Sequence, residues 1–127
     1  MAQYAQVVEI VAPDRAVPGN RVDVTVRLKN LFADTISIEV GGALEYGSGS
    51  WLLINFPDYW ANIGPGETWT FSGSFDMPDQ GGTIHIYGSW YGSDGLWHFD
   101  DELTKAIGLL DLAPQVSEFQ IADYSAV

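Results

Sequence analysis

The sequence feature that most constrains the fold is a strict two-residue alternation between Arg21 and Lys29. The apolar residues of this segment are Val22, Val24, Val26 and Leu28, and the polar residues between them are Asp23, Thr25 and Arg27. Successive side chains of a β-strand point to opposite faces. The segment therefore predicts a strand with one face in an apolar core and the other in water.

The same period recurs along the chain, interrupted by glycine, proline, asparagine and aspartate. Further strands are predicted at residues 7–11, 35–40 with a continuation to 46, 51–56, 68–75, 83–92, 96–100 and 103–110. No window has a convincing helical period. Seven to eight strands at this spacing predict an all-β, immunoglobulin-like antiparallel β-sandwich. The residues predicted to face its core are Val22, Val24, Val26, Leu28, Trp69, Phe71, Ile84 and Ile86.

The length of 127 residues suits one domain. We assign residues 1–112 to the sandwich and residues 113–127 to a C-terminal extension. The extension carries Val116, Phe119, Ile121 and Tyr124, and its alternation echoes the first strand. It is either an edge strand, in the same molecule or a neighbour, or the first strand of a further repeat.

The charge balance argues against nucleic acid as a partner. Seventeen acidic residues against five basic ones give a net charge of −12, which repels phosphate backbones.

The sequence also lacks the features of membrane insertion and export. No apolar run is long enough for membrane insertion. Residues 1–4 lack the charged and apolar regions of a signal peptide. Without cysteine, neither disulfides nor thiolate metal sites are expected, so the fold should be stable without either.

The chain offers little for catalysis. His85 and His98 are the two histidines, and Ser48 between two glycines reads as a loop because no helix follows it, as a nucleophile elbow requires. The carboxylates that invite a calcium interpretation are Asp94, Asp100, Asp101 and Glu102. They lack the spacing of a calcium loop, so a solvated acidic strand end is the favoured interpretation. We expect no enzyme activity and no cofactor.

Aromatic residues are the most suggestive feature, with five tryptophans and six tyrosines. A two- or four-residue turn around Asp94-Gly95 would place residues of opposite parity on one face. Trp90, Trp97 and Phe99 would then join the core, and Tyr87, Tyr91, His98 and Asp100 would face outward. The candidate ligand-binding residues are therefore Tyr87, Tyr91 and His98, with Trp51, Tyr59 and Trp60 undecided.

Three motifs carry a family resemblance: residues 18–30, where a Pro-Gly turn opens the alternating valines and ends in Lys29-Asn30; Pro65-Gly66-Glu67-Thr68; and residues 91–102, with an Asp-Gly turn and an acidic end. They resemble the cell-adhesion-related (CARDB-type) immunoglobulin-like modules of bacteria, archaea and phages. The resemblance implies a stalk, spacer, adhesion or accessory domain in an extracellular, cell-surface or virion protein. The chain departs from it at residues 51–60 and in the tryptophan-rich hairpin.

We therefore expect a non-catalytic structural or protein-interaction module that binds protein partners or associates with itself through edge strands. The alternative is a carbohydrate-binding module that uses exposed aromatic side chains.

Overall fold

Nine β-strands and no helix make up residues 2–110, the part of the chain that the computed structural model describes. The strands are β1 (Ala5–Val11), β2 (Arg15–Ala16), β3 (Arg21–Asn30), β4 (Ile36–Tyr46), β5 (Ser50–Leu53), β6 (Trp60–Ile63), β7 (Thr68–Asp76), β8 (Gly82–Tyr91) and β9 (Trp97–Leu109). The all-β prediction is confirmed. These residues include no helix with the length and apolarity of a membrane span.

The strands form two sheets that enclose one core. The first has three strands in the order β1-β3-β7, and the second has six, in the order β2-β9-β8-β4-β5 with β6 also on β4. All neighbours are antiparallel except β2 and β9. The two-residue β2 follows β1 directly, so the chain passes from one sheet to the other at its start. The arrangement is that of a β-sandwich.

The alternation of β3 builds the centre of the core as predicted. Its four apolar side chains are fully buried, and Phe71, Ile84 and Ile86 join them. The prediction for Trp69 is wrong, because this side chain is 48% exposed. Trp69 has the parity of Phe71 but lies near the start of β7, where the opposite wall is an open cleft lined by Trp60 and Pro57.

Strand β4 continues through Gly41-Gly42 without a break. A Cβ atom at Gly42 would lie 2.8 Å from Ile86 Cδ1 and 3.1 Å from His85 O, so a larger residue here would have to displace its neighbours. The sequence predicts one strand over residues 51–56, but β5 ends at Leu53 and lies at a sheet edge. Trp51 and Leu53 are consequently exposed, although Ile54 after them is buried.

Two aspartates of β9 join the sheets along one side. The Asp100 carboxylate accepts the backbone N–H groups of Gln3, Tyr4 and Ala5 at 2.6–2.7 Å. Asp101 accepts the N–H of Val7 at 2.8 Å. These N–H groups belong to an edge strand and its approach, where backbone donors have no strand partner. The carboxylates take the place of a further strand.

The predictions for residues 113–127, an edge strand or the first strand of a further repeat, concern residues outside the described part of the chain. The predicted end of the sandwich at residue 112 also lies outside it.

Candidate functional site

The connection between β8 and β9 decides which aromatic residues reach the surface. Tyr91 pairs with Trp97, and the Gly92 N–H donates to Leu96 O at 2.9 Å, so the loop has the five residues Gly92–Leu96. With an odd loop, residues of equal parity share a face, and the prediction from an even turn is wrong. Trp97 and Phe99 are 38% and 64% exposed instead of lying in the core.

His98 takes the opposite side from that predicted. Its ring stacks on Trp90, with centroids 4.4 Å apart and planes at 22°. Its Nε2 lies 2.9–3.0 Å from both carboxylate oxygens of Asp94. The hydrogen bond from His98 lowers the pKa of the Asp94 carboxyl below its ordinary value. Trp90 itself packs at the margin of the core, as predicted.

A bulge in β9 reverses the parity again beyond the hairpin tip. Ser89 pairs with Phe99 and Gly88 with Asp101, which leaves Asp100 without a partner residue. The prediction that Asp100 shares the outer face is therefore wrong, since its carboxylate turns towards β1. Beyond the bulge, Glu102 lies opposite Tyr87 and faces outward.

Loop and bulge together assemble one continuous surface, the outer side of the six-stranded sheet, which we call the aromatic face. Its side chains are Trp51 and Leu53 of β5, His85, Tyr87 and Tyr91 of β8, and Trp97 and Phe99 of β9. Ring centroids are 5.0 Å apart for Trp51 and His85, 6.3 Å for His85 and Tyr87, and 6.0 Å for Tyr87 and Phe99. Tyr91 and Trp97 meet edge to face at 5.1 Å.

His85 is the polar centre of the aromatic face. Its Nδ1 lies 2.7 Å from Glu102 Oε2 and its Nε2 lies 3.0 Å from Glu45 Oε1. A neutral imidazole has one N–H, so two carboxylate partners favour the doubly protonated ring. The hydrogen bond to Glu102, supported by Glu45, raises the pKa of His85 above its ordinary value despite partial desolvation. Desolvation and the same two carboxylates raise the pKa of Tyr87.

The charge on this face is acidic. Burial raises the pKa of Glu39, which lies between Ser89 and Trp60 on β4. In residues 2–110, neither Glu45 nor Glu102 forms an ion pair with lysine or arginine. Three basic residues, Arg21, Arg27 and Lys29, lie instead on β3 in the other sheet.

Of the three candidates left undecided by the sequence, Trp51 lies on the aromatic face, and Tyr59 and Trp60 lie beside it. Tyr59, half-exposed, lines a hollow of about 380 Å³ with Leu53 and Gly41. Gly41 lies opposite Tyr87, so this hollow borders the aromatic rings. Trp60 pairs with Glu39 and lines the neighbouring cleft with Trp69. Of the predicted site residues, the structure thus brings Trp51, Tyr87 and Tyr91 onto one face, places Tyr59 and Trp60 at its border and removes His98.

The four carboxylates considered for calcium do not converge. Asp94 contacts His98, Asp100 and Asp101 hold β1, and Glu102 contacts His85. Over residues 2–110 no group of three or more potential metal ligands is found.

Sequence reasoning missed Trp97, Phe99 and the pair of glutamates around His85. One signal for the first two is Gly95, whose φ of +79° is left-handed, together with Gly92, which closes the loop. Two glycines separated by Ser93 and Asp94 suit a loop longer than the tight turn that was predicted.

Comparisons with known proteins place the fold but no function. No family model matches the sequence, and no curated protein matches it. A CARDB domain from Pyrococcus furiosus, solved with di-metal ions, has a TM-score of 0.56 and 17% identity over 84% of this chain and 94% of that one. The C-terminal domain of wzt has a TM-score of 0.61 and 12% identity over 87% and 77%.

A third similar structure is the Pseudomonas fluorescens alkylpurine DNA glycosylase AlkC, bound to DNA containing an abasic-site analogue. Its TM-score is 0.58 and its identity 12%, over 85% of this chain. The chain spans 31% of that glycosylase. At such identities the similarity is one of fold alone, and a CARDB domain shares it with other domains.

Proposed function

We propose that the protein is a non-catalytic interaction module with a CARDB-type, immunoglobulin-like sandwich, and that the aromatic face binds its protein partner. The observation that carries this proposal is the exposure of Trp51, Leu53, Tyr91, Trp97 and Phe99 on one side of one sheet. Contiguous exposed apolar surface rimmed by polar groups marks interaction sites, and aromatic side chains dominate binding energy at interfaces.

The strand order supports the immunoglobulin-like assignment. Such folds place strands A, B, E and D in one sheet and C, F and G in the other. With β2, β5 and β6 set apart as short additions, β1, β3 and β7 take the places of A, B and E, and β4, β8 and β9 take those of C, F and G. Among the described strands, none takes the place of D beside β7. The similarity in fold to a CARDB domain is consistent with this order.

The contacts of the two histidines support a non-catalytic role. The rings of His85 and His98 each form hydrogen bonds with carboxylates. Among the described residues, neither ring forms a hydrogen bond with a serine or threonine hydroxyl. A nucleophilic mechanism needs a nucleophile within reach of its base. Glu102 and Glu45 instead hold the His85 ring in the middle of the aromatic face, and we call this pair of contacts the clamp on His85.

The charge pattern narrows the partner. The aromatic face carries Glu39, Glu45 and Glu102 on a protein of net charge −12, so it suits a neutral or basic partner surface. A spacer, adhesion or accessory domain of a cell-surface or virion protein is the role that the family resemblance favours.

The test crosslinks wild type and the double variant Trp97→Ser/Phe99→Ser to the proteins that they bind, and mass spectrometry identifies those proteins. Each identified protein is then purified and titrated with wild type and variant. Thr70→Ala/Ser72→Ala on the outer side of β7 is the matched control. We expect the control to bind at least one identified protein as tightly as wild type does. The double variant should bind the same protein at least tenfold more weakly. Equal binding by both variants would refute the aromatic face as the interface.

The second candidate is carbohydrate binding, favoured by one arrangement. Trp51 and Tyr87 flank His85, and each carboxylate beside it has an oxygen free of His85 that can accept a hydroxyl hydrogen bond. A glycan array probed with wild type, Trp51→Ala and Tyr87→Ala tests it. Glycan binding that both variants lose supports it, whereas an array without signal leaves only the protein-interaction proposal.

A further inference from the structure

A separate cavity lies at the end of the sandwich where the chain begins. Its walls are Tyr4 before β1, Phe32 after β3, Ile36 of β4, and Trp90 and Tyr91 of β8. Its volume is about 370 Å³, within the range of small-molecule sites. Four of these five side chains are aromatic. We call it the end cavity.

The rings of the end cavity stand at steep angles to one another. Tyr4 meets Phe32 at 4.7 Å and 64°, and it meets Trp90 at 4.9 Å and 80°. None of the three is fully buried, so each ring offers surface to the cavity. Each edge-to-face contact covers part of one ring, and the surface that the three rings leave open lines the cavity. The faces of aromatic rings attract organic cations.

Polar side chains outside the cavity hold the backbone at Phe32 and Tyr4 and the ring of Trp90. Asn30, fully buried, receives the Phe32 N–H at 2.7 Å and donates to Ile63 O and Asp34 O, which fixes the loop that carries Phe32. Asp100 receives the Tyr4 N–H at 2.6 Å. His98, bonded to Asp94, stacks behind Trp90. Rings held in this way lose little freedom when a ligand binds.

The charges around the end cavity suit a cation. Among the described residues, its lining includes no charged side chain. The Asp94 carboxylate lies just behind Gly92 in the wall, where a Cβ atom would be 2.5 Å from Asp94 Oδ1. Asp100 holds the backbone beside Tyr4, and the whole chain carries −12. Such a field favours cationic over neutral or anionic ligands.

We propose that the end cavity binds an organic ammonium group, such as a trimethylammonium or methylated lysine head group, between Tyr4, Phe32 and Trp90. The alternative is an apolar pocket for neutral molecules. The two proposals differ in whether the positive charge of the ligand contributes to its affinity. This proposal is independent of the aromatic face, with which it shares only Tyr91.

The test titrates the protein with choline and with its uncharged carbon isostere 3,3-dimethylbutan-1-ol at constant ionic strength. Calorimetry gives the affinities, and NMR shifts at Phe32 and Gly92 give the location. We expect choline to bind roughly 2- to 30-fold more tightly than the isostere, the range of a cation–π contribution. Equal affinities, or no binding of choline, would overturn the proposal.

Variants locate the effect. Phe32→Leu and Tyr4→Leu keep an apolar side chain but remove a ring, and both should weaken choline roughly 2- to 30-fold with the isostere unchanged. Tyr4→Phe keeps the ring and should retain binding. Trp51→Ala, on the aromatic face, is the control outside the cavity. Thermal melts establish that each variant is folded, and unchanged choline affinity in both folded leucine variants would also overturn the proposal.

Discussion

The carboxylate of Asp100 accepts the backbone N–H of Tyr4 at 2.6 Å, across 96 positions of the chain. Asp100 is the extra residue of the β9 bulge, so the bulge of the last strand holds the start of the first. We expect Asp100→Ala to lower the free energy of unfolding by about 1.5–3 kcal/mol, the range for hydrogen bonds to a charged group.

Urea unfolding measures this loss. Asp76→Ala is the control, since Asp76 is exposed at the end of β7, and we expect it to change stability by less than about 0.5 kcal/mol. Equal losses in the two variants would mean that the contact to β1 does not stabilise the fold.

The clamp on His85 predicts a pH dependence with a definite sign. Its pKa is raised from the ordinary value of 6.5, chiefly by Glu102, so the charged contact stabilises the folded state fully below that value. The stabilisation is lost as the pH rises through the raised pKa. The stability difference between wild type and His85→Gln should therefore be largest near pH ~6 and shrink as the pH rises from there into the alkaline range.

Unfolding curves across this pH range provide the measurement. Glu102→Gln should remove most of the same pH dependence, whereas Glu9→Gln, which removes the ion pair with Arg27 on the other sheet, should leave it unchanged. A pH-independent difference between wild type and His85→Gln would refute the clamp.

The exposure of Phe99 predicts an unusually cheap loss of a phenyl ring. Phe99→Thr should change the free energy of unfolding by less than about 0.5 kcal/mol, because the side chain makes its contacts on the outer face. Phe71→Ala, in the core, should cost about 3–5 kcal/mol. Chemical denaturation measures the free energy of unfolding of both variants. A large loss of stability in Phe99→Thr would mean that Phe99 packs in the core.

Two strand glycines predict opposite responses to a methyl group. A Cβ atom at Gly73 would lie 2.7 Å from the Phe56 ring and 2.8 Å from Asn55 O, whereas one at Gly41 would meet nothing within 4 Å. Gly73→Ala should destabilise by about 1–3 kcal/mol through overpacking. Gly41→Ala should be neutral or stabilise by up to about 1 kcal/mol, since alanine costs less entropy in a strand. Thermal melts of both variants decide this.

Chelation tests the metal question directly. The carboxylates of Asp94, Asp100, Asp101 and Glu102 are engaged in three separate sets of contacts. We expect melting curves with and without EDTA to coincide. A clear fall in melting temperature on chelation would restore the calcium interpretation.

The sequence predicts the core of this protein well where one strand face is apolar and the other polar. In β3 every second residue is apolar, and each of those four side chains is buried. The alternation does not indicate whether a strand lies at the centre or at the edge of a sheet. Trp69 shares the parity of Phe71 and pairs with the fully buried Leu28, but it lies on the edge strand β7 beside an open cleft and stays half-exposed.

The hairpin tip was not predictable in the same way because aromatic residues occupy both of its faces. Tyr91, Trp97 and Phe99 face one side and Trp90 the other, so hydrophobicity gives no preference between an even and an odd loop. The contacts of His85 could not be predicted from neighbouring residues either, since Glu45 and Glu102 lie 40 and 17 residues away in the chain. Strand register alone brings them together.

The five-residue loop and the bulge at Asp100 have an evolutionary consequence. The odd loop places Trp97 and Phe99 outward, and the bulge corrects the register for the rest of β9. Loss of the bulge, with Gly88 still opposite Asp101, would pair Gly92 with Trp97 and leave a loop of about four residues, 93–96. It would exchange the outward and inward residues of the hairpin tip while Ile107 kept its place in the core. Descendants of this chain can therefore replace the chemistry of the tip without remaking the interior.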